Sequence, residues 1–162
     1  MTKNSNLIVH MAKVVLFMLF GLFLALVLHE FSHMIVLLMC NGSVEEISIG
    51  SQSFVSGQIQ SQHIPLVAMS SIVIPTIIAI SSLLIKKNFI KPMILSVAMH
   101  NCINVAGGIF ASFLSPTDNT WDIVLALNTT LIKWPIFVIS TICFCTNIIA
   151  IFLSVKSIIN DA

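Results

Sequence analysis

The chain has 162 residues, of which 57% are hydrophobic and 8% charged, with a formal net charge of +1 and a mean hydropathy of +1.07. Soluble domains carry about a quarter of their residues as charges, so this composition excludes that class and predicts a single integral membrane domain over 1–162. Its few basic residues are all Lys, with no Arg, which leaves neither a nucleic-acid footprint nor a polybasic lipid-binding arm. In chain order, Lys3 and Lys13 precede an apolar run in the outline of a signal peptide. That run continues far past a typical signal core, from 14 to 40, and reads as a retained membrane segment. Further spans are expected at 64–85, 92–114 and 134–155, each meeting the requirement of about 20 residues. Pro75 falls inside the second and is placed to kink it. The fold class expected is therefore mainly α and polytopic, with about four transmembrane helices.

The links differ in character. Asn41-Gly42 is a turn signal. After it, 44–50 and 54–59 read as two β-prone runs joined by a turn at Gly50-Ser51-Gln52-Ser53, a short membrane-associated segment following the first span. The later link, 115–132, holds Asp118 and Asp122 and runs into an apolar stretch too short to span, with a short helix expected to start near one of those Asp residues. The four cysteines, Cys40, Cys102, Cys143 and Cys145, lie in or at the ends of apolar segments and read as small packing residues rather than a disulfide framework. Lys3, Lys13, Lys86, Lys87, Lys91 and Lys156 fall on one side of a four-span arrangement and Lys133 on the other. The positive-inside rule then predicts a cell-membrane protein with both termini cytoplasmic and with 41–63 and 115–133 as outer links.

Within the first span, His29-Glu30-Phe31-Ser32-His33 is the only charged or His-bearing interruption. It spells H-E-x-x-H, in which two His ligands one helical turn apart flank a Glu general base. The usual occupant is Zn²⁺ at about 2.0–2.1 Å from each nitrogen, with a third protein ligand and a water whose pKa falls to roughly 7. A Glu and two His are expensive in hydrocarbon, and the expense points to a functional site with a partner, here a metal. Three residues are candidates for the third ligand: Asp118, Asp122 and His100. Both Asp residues share the outer side with the motif's half of the first span, whereas His100 sits near mid-span. His100, Asn104 and Gly107-Gly108 form one stripe of the third span. Such a stripe reads first as helix packing, and alternatively as donors to an oxyanion or to substrate from His100 and Asn104.

Taken together, these features resemble the site-2-protease-like family of intramembrane zinc metallopeptidases. The match runs through His29–His33, the strand-prone 44–49, then Ser70-Ser71-Ile72-Val73-Ile74-Pro75 against the family's Ala-Gly-Pro-type span, and 110–122 against its Asp-bearing segment. The family's Asn-x-x-Pro and Leu-Asp-Gly are here Leu114-Ser115-Pro116 and Trp121-Asp122-Ile123, without the Asn or the Gly. Better-known members cut on the cytoplasmic side, whereas the lysines place this site nearer the outside. The resemblance implies an intramembrane zinc endopeptidase acting on membrane-spanning or membrane-associated polypeptides. Zn²⁺ would be held by His29, His33 and Asp122, with Asp118 the alternative, and Glu30 would be the base. The β-prone segment, through Ile47, Ile49, Phe54 and Val55, would present substrate by strand addition. Two other classes also use the His pair. A non-catalytic metal-binding membrane protein, of regulator or immunity type, needs the His residues but not Glu30. A metal transporter fits less well, because the second and fourth spans have no ionisable residue in their cores.

Overall fold

The computed structural model describes residues 3–48, 54–85, 89–117 and 119–160. In chain order these form α1 (Lys3–Met39), β1 (Ser43–Ser48), β2 (Phe54–Gln58), a single 3-10 turn (Ser61–His63), α2 (Ile64–Ser82), α3 (Ile90–Leu114), α4 (Asp122–Thr129) and α5 (Trp134–Asn160). The fold is mainly α. Four helices (α1, α2 with its preceding turn, α3 and α5) are long and apolar enough to cross a membrane, and a small antiparallel sheet follows the first of them.

α1 is longer than the expected span. Its 37 residues extend about 55 Å, against a hydrocarbon core of about 30 Å. The apolar run starts after Lys13, but neither Pro nor Gly interrupts 3–20, so the helix continues through the polar N-terminal residues. At the other end it closes in a Schellman arrangement. Gly42 N–H reaches the Leu37 carbonyl at 2.9 Å and Asn41 N–H the Leu38 carbonyl at 3.0 Å. Asn41 stands at φ 58, a left-handed conformation that Asn tolerates better than most residues. The turn swings the chain into β1, which pairs with β2 from Ser43↔Gln58 to Ser48↔Phe54 with a bulge between Val44 and Glu46. Gly57 lies so close to Ser43 and to the Leu37 side chain that a Cβ would overlap them, which presses the hairpin onto the end of α1. Ile49 and the expected turn Gly50–Ser53 lie outside the described residues.

Close helix contacts follow the small residues, as van der Waals packing in lipid requires. A Cβ on Gly21 would stand 2.7 Å from the Met93 backbone, and Ser96 Oγ donates to the Met18 carbonyl at 2.8 Å, so α1 and α3 cross almost backbone to backbone. The buried residues of α5 are Ile136, Ser140, Cys143, Asn147, Ala150 and Ser154, one stripe recurring every three to four positions. Pro75 leaves α2 unbroken although it removes one backbone donor. Beside it, Thr76 Oγ donates to the Ile72 carbonyl at 2.7 Å and accepts from Asn101 Nδ2 at 2.7 Å and Asn147 Nδ2 at 2.8 Å. Three spans are thereby tied together where the ladder is interrupted. All four cysteines are free, with Cys102 and Cys143 buried in the packing.

Candidate metal centre

His29, Glu30 and His33 occupy the last third of α1, ten, nine and six residues before its end at Met39. The i, i+4 spacing turns both imidazoles to one side, with ring centroids 5.1 Å apart in an edge-to-face arrangement. Asp122 comes from α4. A short helix was expected to begin near Asp118 or Asp122 with Asp as its cap. Trp121, in extended conformation, takes the cap position instead, and Asp122 opens the first turn. Its carboxylate is thereby released toward α1. Gly107 and Gly108 of α3 make the seat for this delivery: a Cβ on Gly107 would penetrate the Trp121 indole, and one on Gly108 would stand 3.0 Å from Ile123. Gly107→Leu is accordingly expected to displace the indole and the adjoining Asp122, and the zinc affinity proposed below is expected to fall by about the 10–100-fold typical of a lost outer support; competition against a chromogenic chelator measures it.

The carboxylate bridges the two imidazoles. His29 Nε2 lies 3.2 Å from Asp122 Oδ2 and His33 Nε2 lies 3.3 Å from Asp122 Oδ1. One ligand atom from each residue falls within 4.8 Å of the others. Two atoms bound tetrahedrally at 2.0–2.1 Å are themselves about 3.3 Å apart, so the spacing suits a zinc-sized ion.

Two further observations bear on that fit. His33 Nδ1 is 2.9 Å from the Val67 carbonyl, and a carbonyl oxygen only accepts, so Nδ1 carries a proton. The Nε2 of a neutral His33 then presents a lone pair to Asp122 Oδ1, another acceptor, and only a proton or a cation between them makes the contact favourable. Glu30 is 2% exposed. Its Oε1 is 3.9 Å from His29 Nε2, and its Oε2 has no hydrogen-bond partner among the described residues. A carboxylate buried in this way is costly unless a charge or donor meets it. The donor set, two imidazoles and a carboxylate with a second carboxylate alongside, therefore fits Zn²⁺. Burial alone would push the Asp122 carboxyl up, but hydrogen bonds from His29 and His33 and their charge hold it well below the usual carboxylate range. Ser71 Oγ adds a bond to Oδ2 at 2.5 Å.

A groove of about 740 Å³ opens on this cluster, lined on the polar side by Glu30, His33 and Asp122 and on the apolar side by Leu37, Ile64 and alternate positions of the hairpin, Val55, Gly57 and Ile59. Of the expected substrate-presenting residues, Val55 lines the groove. Ile47 is its cross-strand partner and is 40% exposed. Phe54 begins β2 opposite Ser48, and Ile49 lies outside the described residues, as does Asp118. His100 and Asn104 are not among the described residues lining this groove. Asn104 instead lines a smaller cavity of about 270 Å³ with His29, Trp121 and Asp122, while His100 approaches His29 edge to face at 6.1 Å. Ser71 was legible only as part of the Ser70–Pro75 segment, and the Val67 carbonyl had no sequence signal at all. Comparison with protein-family models, with curated proteins and with solved structures finds no match to this chain. The class that fold and site define is a helical protein with four apolar helices of membrane-crossing length, carrying a His-His-Asp cluster beside a buried Glu.

Proposed function

We propose that the chain is an intramembrane zinc endopeptidase, similar to the site-2-protease-like family, that hydrolyses membrane-spanning or membrane-associated polypeptides. The observation that carries this reading is the buried, unpartnered Glu30 oxygen beside the His29–His33–Asp122 cluster, in a groove whose remaining wall is largely apolar but includes Asn119 and Thr120. Zn²⁺ bound by His29, His33 and Asp122 would supply Lewis acidity and an activated water at neutral pH. Glu30 removes the proton of the attacking water and returns it to the leaving amine as the C–N bond breaks. β2 pairs with β1 along one edge of a two-stranded sheet, and its other edge offers main-chain groups to a substrate in extended form. That pairing supplies the local unwinding that makes a helical peptide bond accessible. The lysine bias supports a cell-membrane protein with cytoplasmic termini and with hairpin and site toward the outer side.

The test uses the full chain purified in detergent. Stoichiometric zinc is expected, together with cleavage of a membrane-anchored reporter polypeptide that is lost on chelation and restored by Zn²⁺. A protein that neither retains nor takes up zinc overturns the reading. Zinc bound without any chelator-sensitive cleavage overturns the enzyme and favours the non-catalytic metal-binding class.

A further inference from the structure

Each metal-ligating imidazole has two nitrogens, and the one that does not bind the metal must place its proton somewhere. For His33 the acceptor is the Val67 carbonyl at 2.9 Å. For His29, whose Nε2 faces Asp122, the group opposite Nδ1 is the carboxamide of Asn104, one helical turn from His100 on α3. Its Nδ2 position lies 3.4 Å from His29 Nδ1 and 3.0 Å from His100 Nε2.

The chemistry of that position decides the tautomer of His29. An amide nitrogen there donates, so Nδ1 must accept and the ring proton moves to Nε2, where it donates to Asp122 and blocks metal binding. A half-turn about Cβ–Cγ exchanges nitrogen for oxygen with no change of shape. An oxygen there accepts from His29 Nδ1–H and, with its second lone pair, from His100 Nε2–H. Nε2 of His29 is then free to ligate. We propose that Asn104 is a positioning residue for the metal centre: its carboxamide oxygen fixes His29 as the Nδ1–H tautomer, with His100 holding that oxygen from the other side. This assigns His100 and Asn104 to the support of His29 rather than to the substrate. The two ligands are then anchored alike, each Nδ1–H on a carbonyl-type oxygen, one from the main chain of α2 and one from a side chain of α3.

The inference rests on the zinc reading above, and its test separates the two. Zinc affinity is measured by chelator competition on the purified wild type, Asn104→Leu and Asn104→Asp, each checked by its melting transition. Asn104→Leu keeps the volume and removes the acceptor; Asn104→Asp keeps the acceptor and removes the donor. The leucine variant is expected to bind zinc about 10–100-fold more weakly, and the aspartate variant at least as tightly as the wild type. Wild-type affinity in the leucine variant, or an equal loss in both, overturns the positioning role while leaving the metal site standing. A wild type that binds no zinc removes the metal site and this inference with it.

Discussion

Replacing Glu30 by Gln is expected to lower the rate of peptide cleavage by about 10²–10⁴-fold, the range that a positioned general base contributes, while zinc remains bound. The two effects separate because Glu30 is not one of the three residues that converge on the proposed ion site. Its nearer oxygen is 3.9 Å from His29 Nε2, beyond ligand spacing, whereas Asp122 approaches both imidazoles. Glutamine fills the same volume, so the buried neighbourhood is undisturbed, but it cannot take a proton from water. Stability moves the other way. A buried carboxylate with one oxygen unpartnered is a destabilising feature, and its neutral isostere removes the cost of burying the charge, so the melting temperature of Glu30→Gln is expected to equal or exceed that of the wild type. Lost activity with retained zinc and undiminished stability is the pattern of a residue kept for chemistry at the expense of folding. Initial rates on a membrane-anchored reporter, zinc content and a thermal melt give all three values. Unchanged cleavage removes Glu30 from the mechanism.

How much of this was legible from the residues depends on the range of the interaction. The His29–Glu30–His33 spacing is a property of one helical turn and could be read directly. The hairpin after α1 was marked locally by Asn41-Gly42 and the two β-prone runs, and the four spans by length and hydropathy. Asp122 was a candidate by its ligand chemistry; the lysine bias set it and Asp118 above His100 by putting their link on the same side as the motif, and the resemblance alone preferred it to Asp118. What selects it geometrically is the seat that Gly107 and Gly108 leave for Trp121 and Ile123, a contact between α3 and the start of α4 that no local pattern encodes. The support for His33 is a backbone carbonyl, and every residue has one, so Val67 carries no signature. Asn101 and Asn147 carry no motif that singles them out; their common bond to Thr76 beside Pro75 depends on the register of three helices. α1 begins well before its apolar run, at Lys3, for a different reason. Hydropathy reports where a helix leaves lipid, and backbone hydrogen bonding does not stop there.

The third ligand is the point on which the site stands or falls, and Asp122→Ala is expected to weaken zinc binding by more than the roughly 10–100-fold that losing an outer support costs. The reason is how many elements hold this one carboxylate. It leaves the first turn of α4, takes a hydrogen bond from Ser71 of α2 at 2.5 Å, and spans the gap between the two imidazoles of α1. A side chain fixed from three directions loses little further freedom when an ion binds, so its contribution is mostly realised as affinity. Without it, two imidazoles remain beside Glu30, whose distance from His29 makes it a poor substitute. Asp122→Asn tests charge separately: it keeps an oxygen donor of the same reach, and its affinity is expected to fall between those of the wild type and the alanine variant. Asp118→Ala supplies the control, with wild-type affinity expected, because the carboxylate required at the imidazoles is already provided by Asp122. Chelator competition on the three variants, read against the wild type, decides the matter. Retained affinity in Asp122→Ala together with loss in Asp118→Ala would transfer the ligand to Asp118 and leave the Asp122 carboxylate as a hydrogen-bonding brace between α1, α2 and α4.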